Sequence, residues 1–359
     1  MIIANLTALL CYSRLRERIF PEVRGLEQLG SSNPTASLVE STDAASPARV
    51  ERLKPLVESA VGYMEEAQAL GTRAAYKKHW AIFERWCVEH GLCCLPATPE
   101  IVAMYVASRA DCGWKVATIQ LALSAVWDHH DQESAPSARG DATIKRTMKG
   151  IRRRLGRAQN TKDPLRTDDM RRLLQATSTG LIGARDRALL LLGFAGGFRR
   201  SELVALNVAD LAFVKEGIVV AVRRSKTDQE GQGMEKAVTY GSDPSSCAVR
   251  AVRDWLELSG LAEGAVFRPI DRHGNIAAKP LTDFAVATVI KRTAKKAGMA
   301  TPKLSGHSLR AGFVTEAAHG GADYIDIMKV TGQVKFDTVL KYDRRRKLWE
   351  KPASAKLGL

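Results

Sequence analysis

"SGHSLRAGFVTEAA", Ser305–Ala318, is the stretch on which the reading of this chain turns. It predicts a helix that opens with His307 and Arg310, three residues apart and so on one face. At a helix start the unsatisfied backbone N–H groups and the positive end of the dipole favour an anion, and a guanidinium adds a fork that grips two oxygens of a phosphate. A His and an Arg three apart are common on ordinary helices, so the pair gains meaning only from what the rest of the chain supplies.

Upstream, the apolar helix "ARDRALLLLGFAGG" (184–197) runs into "GGFRRSEL" (196–203), which sets Arg199 beside Glu202, where a carboxylate or backbone partners would orient the guanidinium. "GIVVAVRRSKTDQEGQGMEKAVTY" (217–240) reads as a β-hairpin: a β-branched run, a polar turn containing glycine, and a returning strand. Lys226 stands at the tip of this hairpin and Lys236 on its returning strand. Downstream, "TGQVKFDTVLKYDRR" (331–345) ends an amphipathic stretch at Tyr342, just before a cluster of arginines.

The chain has 359 residues, enough for two compact domains and tails. With 54 Lys and Arg against 39 Asp and Glu, its formal charge is +15, which points to a polyanionic partner, nucleic acid first. The six cysteines form neither CxxC pairs nor a disulfide framework, and no secretory signal or membrane span is read at the N-terminus, so a cytoplasmic setting is expected. His129 and His130 are adjacent rather than a helical turn apart, and no Asp/Glu cluster suggests a metal site.

Residues 1–50 are expected to form a flexible tail, since 30–48 are rich in Ser, Ala and Pro. Residues 51–157 predict an all-helical domain: in "TRAAYKKHWAIFERWCVEHG" (72–91), Tyr76, Trp80, Phe83 and Cys87 recur at helical spacing, and Thr98 with Pro99 marks another helix start. Its last helix, "ATIKRTMKGIRRRLGR" (142–157), carries Ile144, Met148, Ile151 and Leu155 on one side and Arg146, Lys149, Arg153 and Arg157 on another. Seven bases between Lys145 and Arg157, with no acidic residue among them, make this face a candidate for DNA phosphates. A linker at 158–164 would lead to a second domain at 165–345, whose first helix is expected to be capped at Thr167, followed by a tail at 346–359.

Taken together, Arg199 in "GFRRSEL", Lys226 in "SKT", His307 and Arg310 in "HSLR", and Tyr342 in "KY" resemble, in order and separation, the motifs of the tyrosine recombinase (phage integrase) family, over about 55 to 345. The resemblance implies a mainly α-helical protein: a helical, SAM-like core-binding domain, then an α+β catalytic domain with a small β-hairpin or sheet, the two forming a C-shaped clamp around duplex DNA. It implies a homotetramer on two synapsed recombination sites, exchanging strands through a Holliday junction with no cofactor, metal or ATP. Arg199 and Arg310 would clamp the phosphate and Tyr342 would be the nucleophile. His307 would accept its proton, and Lys226, or in its place Lys236, would protonate the leaving oxygen. The departure is Gln333, nine residues before Tyr342, where the family usually has His or sometimes Trp; its neutral amide donates a hydrogen bond but cannot share a proton. That departure keeps open a DNA-binding protein of the same fold with weakened cleavage. A type IB topoisomerase-like activity is the other alternative, disfavoured by the tail, where Leu348 and Trp349 would need a neighbouring protomer to bury them.

Overall fold

The structure, a computed structural model, describes residues 47–156, 163–223, 233–300, 302–333 and 336. The chain divides into two compact units, Met1–Ala158 and Gln159–Leu359.

The first unit is helical: α1 (Pro47–Glu66), α2 (Leu70–Glu89), α3 (Pro99–Asp111), α4 (Val116–Gln132) and α5 (Ala142–Leu155). Helix α1 starts inside the segment expected to be a tail, at a proline, whose fixed φ and missing N–H suit a first helical position. Thr98 caps α3, its side chain accepting from the Ile101 N–H, and the Asp141 carboxylate caps α5 by accepting from Thr143 N at 2.7 Å. The core joins Phe83, Trp86 and Cys87 of α2 to Val102, Tyr105 and Val106 of α3, Ile119, Ala122 and Val126 of α4, and Ile144, Met148 and Ile151 of α5. Phe83 meets Tyr105 edge-on with centroids 4.9 Å apart. Burial pushes the Tyr105 phenol up to about 12, so it is a packing residue. His129 stacks on Trp80 at 3.7 Å, while the buried His130 accepts from Ala97 N at Nε2 and meets Val126 O through Nδ1. Leu155, expected on the apolar side of α5, is exposed: it ends the last turn, beyond the reach of the core.

The second unit contains α6 (Thr167–Gln175), α7 (Gly180–Ala195), α8 (Arg200–Ala205), strands β1 (Leu211–Val214), β2 (Gly217–Val222) and β3 (Met234–Thr239), then α9 (Ala248–Ser259), α10 (Asp283–Lys296), α11 (His307–His319) and α12 (Tyr324–Thr331). The strands form one antiparallel sheet in the order β1-β2-β3, with Val220 opposite both Leu211 and Lys236. The hairpin of β2 and β3 matches the sequence reading; β1 was not anticipated, although "LAFV" followed by "KEG" has the form of a short strand and turn. The cap of α6 also differs: Asp169 accepts from Arg166 N at 3.0 Å, which leaves the Thr167 hydroxyl to donate to Glu316 Oε2 at 2.7 Å.

Helix α7 runs through the core against α9 and α11 on its apolar Ala188–Ala195 segment, while Arg185 and Asp186 in its first half are buried as an ion pair at 2.7 Å. Its end fixes the geometry that follows. Gly197 has φ +55°, and a Cβ there would lie 2.7 Å from the Phe313 ring, so the turn needs glycine on both counts. Gly312 on α11 lets the Leu165 carbonyl approach to where a Cβ would stand 2.0 Å away, and Leu165 N donates to Ser308 O at 3.1 Å, tying the start of this unit to α11. No helix among the described residues is long and apolar enough to cross a membrane.

Candidate active site

Two helix ends build the site. The C-terminus of α7 presents the carbonyls of Gly196 and Gly197, and the C-terminus of α12, closed by Gly332 in the left-handed conformation, presents those of Thr331 and Gly332. Terminal carbonyls lack intrahelical partners and carry the negative end of the dipole, so they hold cations. Arg310 spans both ends, donating from Nη1 to Gly197 O at 2.8 Å and from Nη2 to Thr331 O. Arg199 donates from Nη2 to Gly332 O at 3.3 Å. Lys236 Nζ donates to Gly196 O at 3.2 Å.

Glu202 is the carboxylate among them. Its Oε1 accepts from Arg199 Nη1 at 2.5 Å, and its Oε2 accepts from Arg199 N at 2.9 Å and from Lys236 Nζ at 3.4 Å. Burial pushes the Glu202 carboxyl up, but Lys236 and the Arg199 contacts outweigh it and hold the group below its usual range. For Lys236, burial pushes the ammonium down, Glu202 pushes it up, and Arg310 and Arg199 push it down, leaving it at about 8. Arg199 and Lys236 thus hold the carboxylate and Arg310 acts on Lys236, so three cations share one carboxylate's charge, and the positive surplus suits a phosphate.

His307 begins α11, one turn before Arg310. Its side chain remains open to solvent, yet the protein packed around the ring lowers its pKa, and Arg310, Arg200 and Arg199 lower it further. The imidazole is therefore neutral near pH 7 and able to take a proton. Gln333 follows Gly332; its N–H donates to Met328 O at 3.2 Å, and its Oε1 lies 3.2 Å from the Thr331 hydroxyl.

The structure thus brings Arg199, Arg310, His307 and Gln333 to one place, around the ends of α7 and α12. Lys226, Tyr342 and Arg157 lie outside the described residues, as does the tail at 346–359. Arg146, Lys149 and Arg153 are exposed on α5 of the other unit. The sequence reading had Glu202 beside Arg199 but not the four carbonyls, which no side-chain pattern reveals. It also missed that Lys236 is enclosed; the signal was its register with Val238, both facing inward on a strand of alternating exposure. Among the described residues no group of three or more His, Cys, Asp or Glu is placed to hold a metal ion.

Helices around a small antiparallel sheet, with two arginines organised on helix ends beside a buried carboxylate, fit the tyrosine recombinases, a class of site-specific recombination enzymes. Residues 163–348 match the family described as "Phage integrase family", and the chain belongs to that family. It is 35% identical over 299 residues to the "Integrase/recombinase xerD homolog" of Selenomonas ruminantium, covering 82% of this chain and 87% of that one. With "Tyrosine recombinase XerD" of Pseudomonas putida it shares 27% identity over 78% of this chain and 88% of the relative. Among solved structures, the Tn1549 transposon integrase in complex with transposon right end DNA superposes with a TM-score of 0.56 at 16% identity, covering 80% of this chain and 95% of that one.

Proposed function

We propose that this chain is a site-specific DNA recombinase that cuts and rejoins duplex DNA through a 3′-phosphotyrosyl bond at Tyr342. The observation that carries this reading is the cation cluster of Arg199, Arg310 and Lys236 on Glu202 and the helix-end carbonyls, with a neutral His307 beside it. A phosphodiester repels nucleophiles and has a poor leaving alkoxide. Arg199 and Arg310, fixed before substrate arrives, stabilise the charge that gathers on the non-bridging oxygens. The Tyr342 phenol, with an ordinary pKa of about 10, gives its proton to His307 as it attacks phosphorus. The P–O5′ bond breaks, Lys226 protonates the departing oxygen, and a 5′-hydroxyl is released. Because the phosphotyrosine keeps the energy of the broken ester, attack by another 5′-hydroxyl reverses the step and joins strands. Charge neutralisation comes from side chains and bond energy is conserved, so the chemistry calls for neither metal nor ATP.

The two units would close as a C-shaped clamp on the duplex, with Arg146, Lys149, Arg153 and Arg157 on phosphates, and four protomers would exchange strands at two sites through a Holliday junction. Domains at 51–157 and 165–345, joined by a linker at 158–164, and a tail at 346–359 seated on the neighbouring protomer belong to the same proposal. The DNA-bound transposon integrase above supports a DNA partner. The test is incubation with a nicked duplex from the gene's own flanks. A covalent protein–DNA adduct, absent in Tyr342→Phe, is the expected result; binding without an adduct would instead identify a DNA-binding protein of the same fold.

A further inference from the structure

Lys236 belongs to the cation cluster but is given no step in the chemistry proposed above, and the protein encloses it completely: its side chain has 0% exposure. Enclosing an ammonium is costly, and an apolar residue would fill the same inward position of β3 at no such cost. The partners show what the charge is for. Nζ reaches Gly196 O at 3.2 Å, Glu202 Oε2 at 3.4 Å and the face of the Phe198 ring at 4.3 Å from its centroid. All three belong to the short segment 196–202 that carries Arg199. Lys236 is a strut from the sheet to that segment.

Resting on the function proposed above, we propose that Lys236 is a positioning residue for strand cleavage: its ammonium fixes the Glu202 carboxylate, and through it the Arg199 guanidinium, in the orientation that receives the phosphate. Glu202 divides its oxygens to do this. Oε1 holds the Arg199 side chain, while Oε2 holds both the Arg199 backbone N–H and Lys236. Without Lys236 the carboxylate loses its second cation, and only the Arg199 backbone N–H is left to hold Oε2 against rotation about the Cγ–Cδ bond, which would carry Nη1 of Arg199 with it. A misplacement of this size is enough to impair a preorganised site. The charged groups acting on Lys236 are Glu202, Arg310 and Arg199, and its depressed pKa follows from burial among them. Nζ has no exposed surface from which to approach a leaving 5′-oxygen, which separates this role from that of a proton donor.

The test is single-turnover cleavage of the nicked duplex at saturating DNA. Lys236→Met is expected to slow cleavage at least tenfold, with DNA affinity within twofold of the parent. In an Arg199→Ala background the same change is expected to slow cleavage no further, because both act through one guanidinium. A substrate with sulfur in place of the bridging 5′-oxygen, whose thiolate leaves without protonation, is expected not to restore the rate. If Lys236→Met does not fold, Lys236→Gln, which keeps a donor without the charge, carries the same expectations. No adduct from the parent overturns the proposed function and this inference with it. A parent adduct with an equal rate in the variant overturns the inference alone, as does full restoration by the sulfur substrate or an undiminished effect in the Arg199→Ala background.

Discussion

On α5, Arg146, Lys149 and Arg153 stand in water; around the ends of α7 and α12, Arg310 and Lys236 are buried and Arg199 is largely so. The two sets share a charge sign and differ in everything that decides how charge works. In water an exposed cation is mobile and screened within about 10 Å at 0.1 M salt, so it contributes by number and is replaceable. Enclosed, a cation is costly and must be held by named partners; what it gains is a fixed direction. The first set fits a surface that attracts DNA in general, the second a site that distinguishes one transition state.

The largest test of that contrast is Arg310→Lys, which keeps the charge and removes the fork. Arg310 bridges Gly197 O and Thr331 O with two nitrogens, and the single ammonium of Lys cannot reproduce that span. Cleavage is expected to fall about 10²–10³-fold, the effect of losing one preorganised donor, with DNA affinity nearly unchanged. Single-turnover rates and equilibrium binding, measured side by side, check this; a variant that cleaves at the parental rate would show that charge alone suffices there.

The second set should respond the other way. Changing Arg146, Lys149 and Arg153 together to Gln is expected to weaken binding to all duplexes alike. It should flatten the plot of log affinity against log salt by about 0.9 for each phosphate that is no longer neutralised. Cleavage at saturating DNA should stay within about twofold of the parent. A salt dependence identical to the parent's would place this face away from DNA.

The same contrast explains what could be read before the structure. Exposed and apolar faces announce themselves by period, so α5 was legible from Ile144, Met148 and Ile151 alternating with bases, and the hairpin from its β-branched run. Arg199 beside Glu202, and His307 with Arg310, were legible because each pair sits within one turn of chain. The rest was hidden because it depends on distant backbone: the carbonyls of Gly196, Gly197, Thr331 and Gly332 leave no trace in residue type. The enclosure of Lys236 was hidden for a related reason. A lysine in a hairpin strand is ordinarily solvated, and only its alternation with Val238, opposite Val220, marks it as inward. Strand β1, four residues long, is too short for period to separate from its surroundings.

Gln333 lies between the two regimes and gives the smallest effect. The αL turn at Gly332 delivers its backbone to the site, where its N–H closes on Met328 O, so its placement depends on the main chain more than on the side chain. The amide adds no charge of its own, so its bond to a phosphate oxygen, with only the acceptor ionised, is taken at the low end of the range for bonds to charged groups, about 1.5 kcal/mol. Gln333→Ala is therefore expected to slow cleavage about tenfold, since each 1.36 kcal/mol of barrier is tenfold in rate. Gln333→His, which restores a group able to carry charge, is expected to match or exceed the parent. Equal rates for Gln333→Ala and the parent would mean that the amide takes no part in stabilising the phosphate. The buried cluster would then have to supply that stabilisation without help from this turn.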